Sequence, residues 1–328
     1  MDKKNLKYLY PWLKGSYENI IKYYINKRHH HSIIFYNVKK NGTGILCIEL
    51  TKWILCNEFD SNFRPCNKCY DCNLINKKMH PDLYIIRKNK KNSINIYEIK
   101  KIINIINYSS YRGKKIIILI KNIEFFTIKS MNAILKILEE PPKNIYFLIK
   151  CYNKELIIPT ILSRCKILNL SVPSENSGLK WLIDAGVKCK ESSCISALRL
   201  SLYAPYKAYL LINSKEWGER KIFYNLLYKI IINKKFQFTC NIFKIFKEEN
   251  IVKWFLSFLI DLIKKKYNIE NKFLTNLDIL NLIYKSYNYY NLRFLIKNLD
   301  KWVLYKKKYS YDKDSLYIFQ YFINFLIK

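Results

Sequence analysis

Hydrophobic positions change their spacing part-way along the chain. In the first half, short β-branched runs alternate with longer amphipathic stretches. Residues 17–26 carry helical spacing and precede the apolar run 32–37, which predicts a buried strand. A second helix is expected over about 44–55, and Leu83–Ile86 predicts another strand. Ile96, Ile99, Ile102, Ile103 and Ile106 fall on one helical face. The run 115–120 is apolar and β-branched, as a central strand covered on both faces requires. Met131, Ile134, Leu135 and Leu138 recur at i, i+3, i+4 and i+7, which predicts a helix over 129–140 that Pro141-Pro142 stops. Residues 145–150 and 166–170 predict further strands. Strands alternating with helices at this spacing imply a mostly parallel, three-layer α/β sheet.

Beyond residue 170 the period is almost entirely helical. Val172-Pro173-Ser174 reads as a linker ending in a helix N-cap. Residues 174–203 and 207–212 predict a small helical domain, and long amphipathic segments such as 251–264 and 315–327 follow. The chain therefore divides on paper into an α/β part at 1–170, a helical part at 171–213 and a second helical part at 214–328. No internal repeat is evident.

Composition excludes several classes. Half of the 328 residues are hydrophobic and 16% are aromatic, enough apolar surface to offset the entropy of ordering the chain. Seven Gly and eight Pro exclude collagen-like and Pro/Gly-rich chains. The formal net charge is +33, which suits a nucleic-acid or other anionic partner. A bland cause competes with that one. Lys, Ile, Asn, Tyr and Phe are all encoded by AT-rich codons, and drift in an AT-rich genome inflates Lys wherever the surface tolerates it. The start, Met1-Asp2-Lys3-Lys4-Asn5, has no apolar stretch behind it, so a cytoplasmic location is expected. In a reducing cytoplasm the ten Cys should be thiols, and clustered ones should bind metal.

Cys56, Cys66, Cys69 and Cys72 form such a cluster, C-x9-C-x2-C-x2-C. A C-x2-C pair aims two thiolates at one ion, a third joins three residues on, and the fourth comes from the end of the preceding helix. Four thiolates fill tetrahedral Zn²⁺ and leave no open position, so the centre would be structural. An iron–sulfur cluster is the competitor, although Asn73-Leu74-Ile75 follow Cys72 where a ferredoxin run would continue to Cys-Pro. Cys47, Cys151, Cys189, Cys194 and Cys240 are scattered and read as small buried hydrophobes.

A sheet of this kind often carries a phosphate loop after its first strand. Here the loop reads Val38-Lys39-Lys40-Asn41-Gly42-Thr43-Gly44-Ile45. Gly42, Thr43 and Gly44 survive, but no Gly-Lys-Ser/Thr follows. After the strand ending at Ile120, where metal-binding acids belong, stand Lys121 and Asn122, which cannot hold Mg²⁺. The pattern is that of a nucleotide-hydrolase scaffold without its chemistry. Ser163-Arg164-Cys165 precedes a strand. A lone Arg there is by default a solvated charge or ion-pair partner, and the sharper reading is an arginine finger for a neighbour's γ-phosphate.

Taken in order, several blocks resemble one family. They are Tyr10-Pro11-Trp12-Leu13, Arg28-His29-His30, the four cysteines, His80-Pro81-Asp82, Asn132-Ala133-Ile134-Leu135-Lys136-Ile137-Leu138-Glu139-Glu140-Pro141-Pro142, and Ser163-Arg164-Cys165. The chain resembles the delta-prime family of bacterial DNA polymerase III clamp-loader subunits, within the AAA+ superfamily. The match covers about the first 170 residues and is weak in the helical half, at Ala197-Leu198-Arg199-Leu200-Ser201.

The resemblance implies an AAA+ α/β domain (1–170) with a zinc-binding insertion (56–72), a helical lid (171–213) and an all-helical collar (214–328). It implies a non-hydrolysing stator in a ring with motor (gamma/tau) and delta subunits, which places the sliding clamp on primed DNA. It assigns the metal to Cys56, Cys66, Cys69 and Cys72. It makes Arg164, supported by Ser163 and Cys165, the finger reaching a motor subunit's ATP. It also makes His29, His30 and His31 structural. Lys207 falls at the lid's sensor position, but Ala204-Pro205-Tyr206 departs from the family's Gly-containing turn. Two rivals stand beside this reading. One is an independent AAA+ ATPase using the loop at Gly42 and Gly44. The other is a zinc-containing nucleic-acid-binding protein using interleaved Tyr and Lys, as at Tyr305-Lys306-Lys307-Lys308-Tyr309.

Overall fold

The computed structural model describes residues 10–26, 30–37, 41–59, 64–88, 93–106, 110–112, 115–142, 144–233, 246–288 and 290–308. They fall into two compact units, Met1–Pro173 and Ser174–Lys328.

The first unit is built on five strands: β1 (Ser32–Tyr36), β2 (Leu83–Ile86), β3 (Ile116–Ile120), β4 (Ile145–Cys151) and β5 (Lys166–Asn169). The order is β2-β3-β4-β1-β5 and every pairing is parallel. The run expected to be central, β3, is buried at all five positions, but it lies one place in from the edge. The middle belongs to β4, which is two residues longer and buried at all positions but Lys150. Periodicity reports burial on both faces, which every interior strand shares, and so does not rank the strands among themselves.

Among the described residues six α-helices accompany the sheet: α1 (Lys14–Ile25), α2 (Thr43–Leu55), α3 (Tyr70–Lys77), α4 (Ile96–Ile106), α5 (Ile128–Glu139) and α6 (Pro159–Arg164). Alternation along the strands sends Ile34, Ile118, Ile120, Phe147 and Ile149 to one face, where Ile99, Ile102, Met131, Ile134, Leu138 and Ile161 meet them. On the other face Tyr24 of α1 lies against Tyr146 of β4 and Trp53 of α2. Three layers result. Ile96 starts α4 but is 36% exposed, so the isoleucine stripe meets the core only from Ile99 on. Thr127 caps α5 by accepting from the Ser130 amide, and Pro141 follows the helix end.

The second unit is helical: α7 (Glu175–Asp184), α8 (Glu191–Leu200), α9 (Pro205–Ile212), α10 (Lys215–Asn233), α11 (Glu248–Lys266), α12 (Leu280–Ser286) and α13 (Leu292–Lys308). The Ser174 hydroxyl accepts from the Ser177 amide, the cap read from sequence. Two apolar clusters form. One gathers Leu182, Cys194, Ala197, Leu198, Ala208 and Trp217, and the other centres on Phe223, Leu227, Phe255, Phe258, Leu259 and Leu262. Arg199 grips both Glu175 carboxylate oxygens, at 2.7 and 2.8 Å, and donates to the Leu274 carbonyl, so one side chain ties α7 and α8 to the later helices.

One expectation about thiols is corrected. Cys189 and Cys194 are disulfide-bonded, because the four residues between them turn into α8 and bring their Cα atoms to 6.4 Å. Cys240 and the apolar segment 315–327 lie outside the described residues. Among the described residues no helix is long and apolar enough to cross a membrane.

Candidate functional site

The cysteine cluster forms as the spacing predicts. Cys56 ends α2, Cys66 and Cys69 lie on the connecting turns, and Cys72 is in the first turn of α3. The four Sγ atoms lie within 4.8 Å of one another. Cys56 Sγ is 3.6 Å from Cys66 Sγ and 3.8 Å from Cys69 Sγ. A tetrahedron of sulfurs about 2.3 Å from one ion has edges of about 3.8 Å, so the donors fit a single tetrahedral cation. The Cys69 amide donates to Cys66 Sγ and the Cys72 amide to Cys69 Sγ. Burial raises the Cys66 thiol pKa, but the backbone amides of Cys69 and Lys68 outweigh it and bring the pKa down to about 7. Burial and neighbouring sulfurs push Cys72 the other way. Four converging thiols cannot all ionise without a cation among them.

Around this cluster stands a polar staple that spacing alone did not show. Asp71, next to Cys72, is buried and pairs with Arg112 Nε at 2.5 Å and His80 Nε2 at 3.4 Å. His80 Nδ1 accepts from the Asp82 amide, so Nε2 carries the proton toward Asp71. The Asp82 carboxylate accepts the Tyr111 and Arg112 amides, at 2.8 and 3.1 Å. Burial lowers the His80 pKa and keeps the ring neutral. The His80-Pro81-Asp82 block therefore joins α3 to the strand β2 and to the turn before β3. His31 is also structural: it stacks on Tyr146 and its Nδ1 lies 3.1 Å from the Ile145 carbonyl. His30 is exposed, and His29 lies outside the described residues.

The loop after β1 leads into α2 through Gly42, in left-handed backbone with φ +92°. A Cβ on Gly42 would collide with the Tyr10 ring. Tyr10 packs edge-on against Trp12, whose Nε1 donates to the Asn41 carbonyl. Asn41 Nδ2 donates to Asn37 Oδ1 and to the Ser171 carbonyl. Gly42 thus serves a loop packed against the chain's own aromatic residues. A Cβ on Gly44 would lie 3.6 Å from Lys150 Nζ. At the end of β3, Lys121 has a lowered pKa, first because it is partly buried and then because Lys78, Arg87 and Lys150 repel its charge. Asn122 turns to Glu124, with Nδ2 to Oε1 at 3.1 Å. Lys78, Arg87, Lys121 and Lys150 thus gather near the C-terminal end of β3, the end of the strands where such sheets bind ligands.

Arg164 is the last residue of α6, which Pro159 opens. Cys165 is buried in the sheet's core and its pKa is pushed up to about 12, so it anchors the turn as an inert apolar group. Arg164 itself reaches outward and is 35% exposed. Its Nη1 donates to the Thr160 carbonyl at 3.1 Å and lies 3.5 Å from Ser163 Oγ. Its Nη2 pairs with Glu139 Oε1 at 2.7 Å. Glu139 stands in the Leu-Glu-Glu-Pro-Pro block, but its pairing depends on how α5 and α6 meet, which spacing does not reveal.

Two family models cover most of the chain. The one described as DNA polymerase III, delta subunit matches residues 13–174, and DNA polymerase III, delta subunit, C terminal matches 214–312. The DNA polymerase III subunit delta' of Buchnera aphidicola subsp. Acyrthosiphon pisum (strain APS) is 35% identical over 286 residues, 86% of each chain. The chain belongs to the DNA polymerase III delta-prime family. The delta' subunit of Escherichia coli (strain K12) is 28% identical over 213 residues, covering 65% of this chain and 63% of that one. A DNA polymerase III subunit gamma, from Buchnera aphidicola subsp. Baizongia pistaciae (strain Bp), is 30% identical over 138 residues, 42% of this chain and 36% of that one. In this delta-prime chain, Ser163, Arg164 and Cys165 meet at one turn and the four cysteines meet at one centre, in separate parts of the first unit.

Proposed function

We propose that this chain is the non-hydrolysing stator of a clamp loader, which assembles with motor and delta subunits to place a sliding clamp on primed DNA. The observation that carries the silent role is Lys121. Hydrolysis needs an acid at that strand end to hold Mg²⁺, and this chain puts a cation there, with three more cations acting on it. The Tyr10 ring packed against Gly42 supports the same reading, because the loop's glycine is engaged by the chain's own side chain.

Arg164 is the finger in this reading, supported by Ser163 and held at the surface by the buried Cys165. A guanidinium at the end of a short helix presents charge to a γ-phosphate bound by the adjacent motor subunit. Residues 1–170, 171–213 and 214–328 would act as AAA+ domain, lid and collar, in the cytoplasm.

Zinc is the metal we assign to Cys56, Cys66, Cys69 and Cys72. Sulfurs at 3.6 and 3.8 Å suit one ion, whereas an iron–sulfur cluster holds its cysteine sulfurs farther apart. With four protein ligands the ion would supply folding energy and no open coordination position.

The experiment is assembly followed by nucleotide turnover. Mixed with motor and delta subunits, the chain should enter a stable complex, and alone it should show no Mg-ATP turnover. Turnover by the isolated chain, or failure to assemble with matched partners, would overturn the stator role.

A further inference from the structure

We propose that Glu139 is a positioning residue for Arg164, fixing its guanidinium so that the remaining donors face a phosphate brought by another chain. This rests on the finger role given above for Arg164. Both residues end helices that are pinned from behind. Leu138 and Ile137 of α5 and Ile161 of α6 are buried in one cluster with Cys165. Pro141-Pro142 ends α5 just beyond Glu139, and Pro159 starts α6 five residues before Arg164. The carboxylate and the guanidinium are therefore carried on stiff supports rather than on loops.

The donor inventory decides between clamping and blocking. A guanidinium has five N–H donors in one plane. One Nη1 hydrogen serves the Thr160 carbonyl, the Ser163 hydroxyl lies at the edge of range, and Nη2 forms the ion pair with Glu139 Oε1 at 2.7 Å. Nε has no hydrogen-bond or ion-pair partner among the described residues. Contacts from two helices fix the plane and leave the Nε edge open to a phosphate oxygen. Had Glu139 taken that edge bidentately, Arg164 would be spent within its own chain. Because the pair is exposed, with side chains 35% and 44% accessible, it adds little to stability. Its loss should therefore be felt in turnover while the fold stays intact.

The test is a double-mutant cycle in the reconstituted ring with motor and delta subunits, read as clamp- and DNA-stimulated ATPase. Melting temperature and metal content of each variant serve as folding controls. Glu139→Ala should lower kcat on the order of tenfold with the KM for ATP little changed. Glu139→Gln, which keeps one hydrogen bond, should retain part of the rate. The Arg164→Ala ring should be slower still, and adding Glu139→Ala to it should change nothing more, because Glu139 acts through Arg164. An equal further loss in the Arg164→Ala background would overturn the proposal in favour of a structural role. A wild-type rate for Glu139→Ala beside an impaired Arg164→Ala would sink it alone. An unaffected Arg164→Ala ring would remove the finger role itself and this proposal with it.

Discussion

Leu202 and Tyr203 both adopt left-handed backbone, each at φ 55°, in the turn between α8 and α9. An L side chain there costs about 1–2 kcal/mol, whereas glycine's extra freedom in the unfolded chain costs about 0.5–1 kcal/mol. Both side chains are exposed, at 59% and 39%, so little burial opposes the exchange. Leu202→Gly and Tyr203→Gly should each raise stability by roughly 0.5–1 kcal/mol, read as a higher denaturant midpoint. Unchanged or lower midpoints would contradict the strain. Gly42 presents the opposite case. Its φ of +92° and the Tyr10 ring above it make Gly42→Ala destabilising by about 2 kcal/mol or more, visible in the same unfolding curves. At this scale the sequence exposed what chemistry needs by type: four thiols at metal spacing, a lysine in place of an acid, an arginine before a strand. Glu139 and Lys150 escaped because their meaning lies in partners far along the chain, Arg164 and Lys121.

Among the elements, β2 depends on polar support. It is four residues long, at the sheet's edge, and Asp82 just before it holds the amides of Tyr111 and Arg112. Asp82→Asn keeps the shape but weakens two charge-assisted bonds, and should cost about 1.5–3 kcal/mol in unfolding experiments. Full stability in that variant would mean the staple is idle. The cysteine centre joins α2 to α3 in the same region, so its metal is expected to act on this unit. Purified protein should carry one equivalent of Zn²⁺. Cys69→Ser should lose it and lower the melting temperature of residues 1–173, while the helical unit keeps its own transition. Iron in the purified protein would contradict the assignment. Periodicity made the elements legible wherever apolar positions repeat, as in β3 and α5. It could not rank β3 below β4, because strand order is set by how loops cross the sheet. Nor could it foresee the Cys189–Cys194 bond, which arises from the turn into α8.

Across the whole molecule, the proposed stator role rests on the loop after β1 and on the cations at the end of β3. The three-layer sheet is complete, the loop is packed against Tyr10, and cations stand where metal-binding acids belong. With a net charge of +33, any contact this chain makes to DNA phosphates should weaken steeply with salt. In the stator role proposed above, what the chain contributes to hydrolysis lies in a neighbour's site, through Arg164. The most direct measurement is the clamp- and DNA-stimulated ATPase of a ring reconstituted from this chain with motor and delta subunits, compared with the Arg164→Ala ring. Loss of one such charge from a transition state is worth on the order of 10³ in rate at the site it serves. The mutant ring should be clearly slower, and the isolated chain should hydrolyse nothing. Equal rates for the two rings would contradict the role given to Arg164.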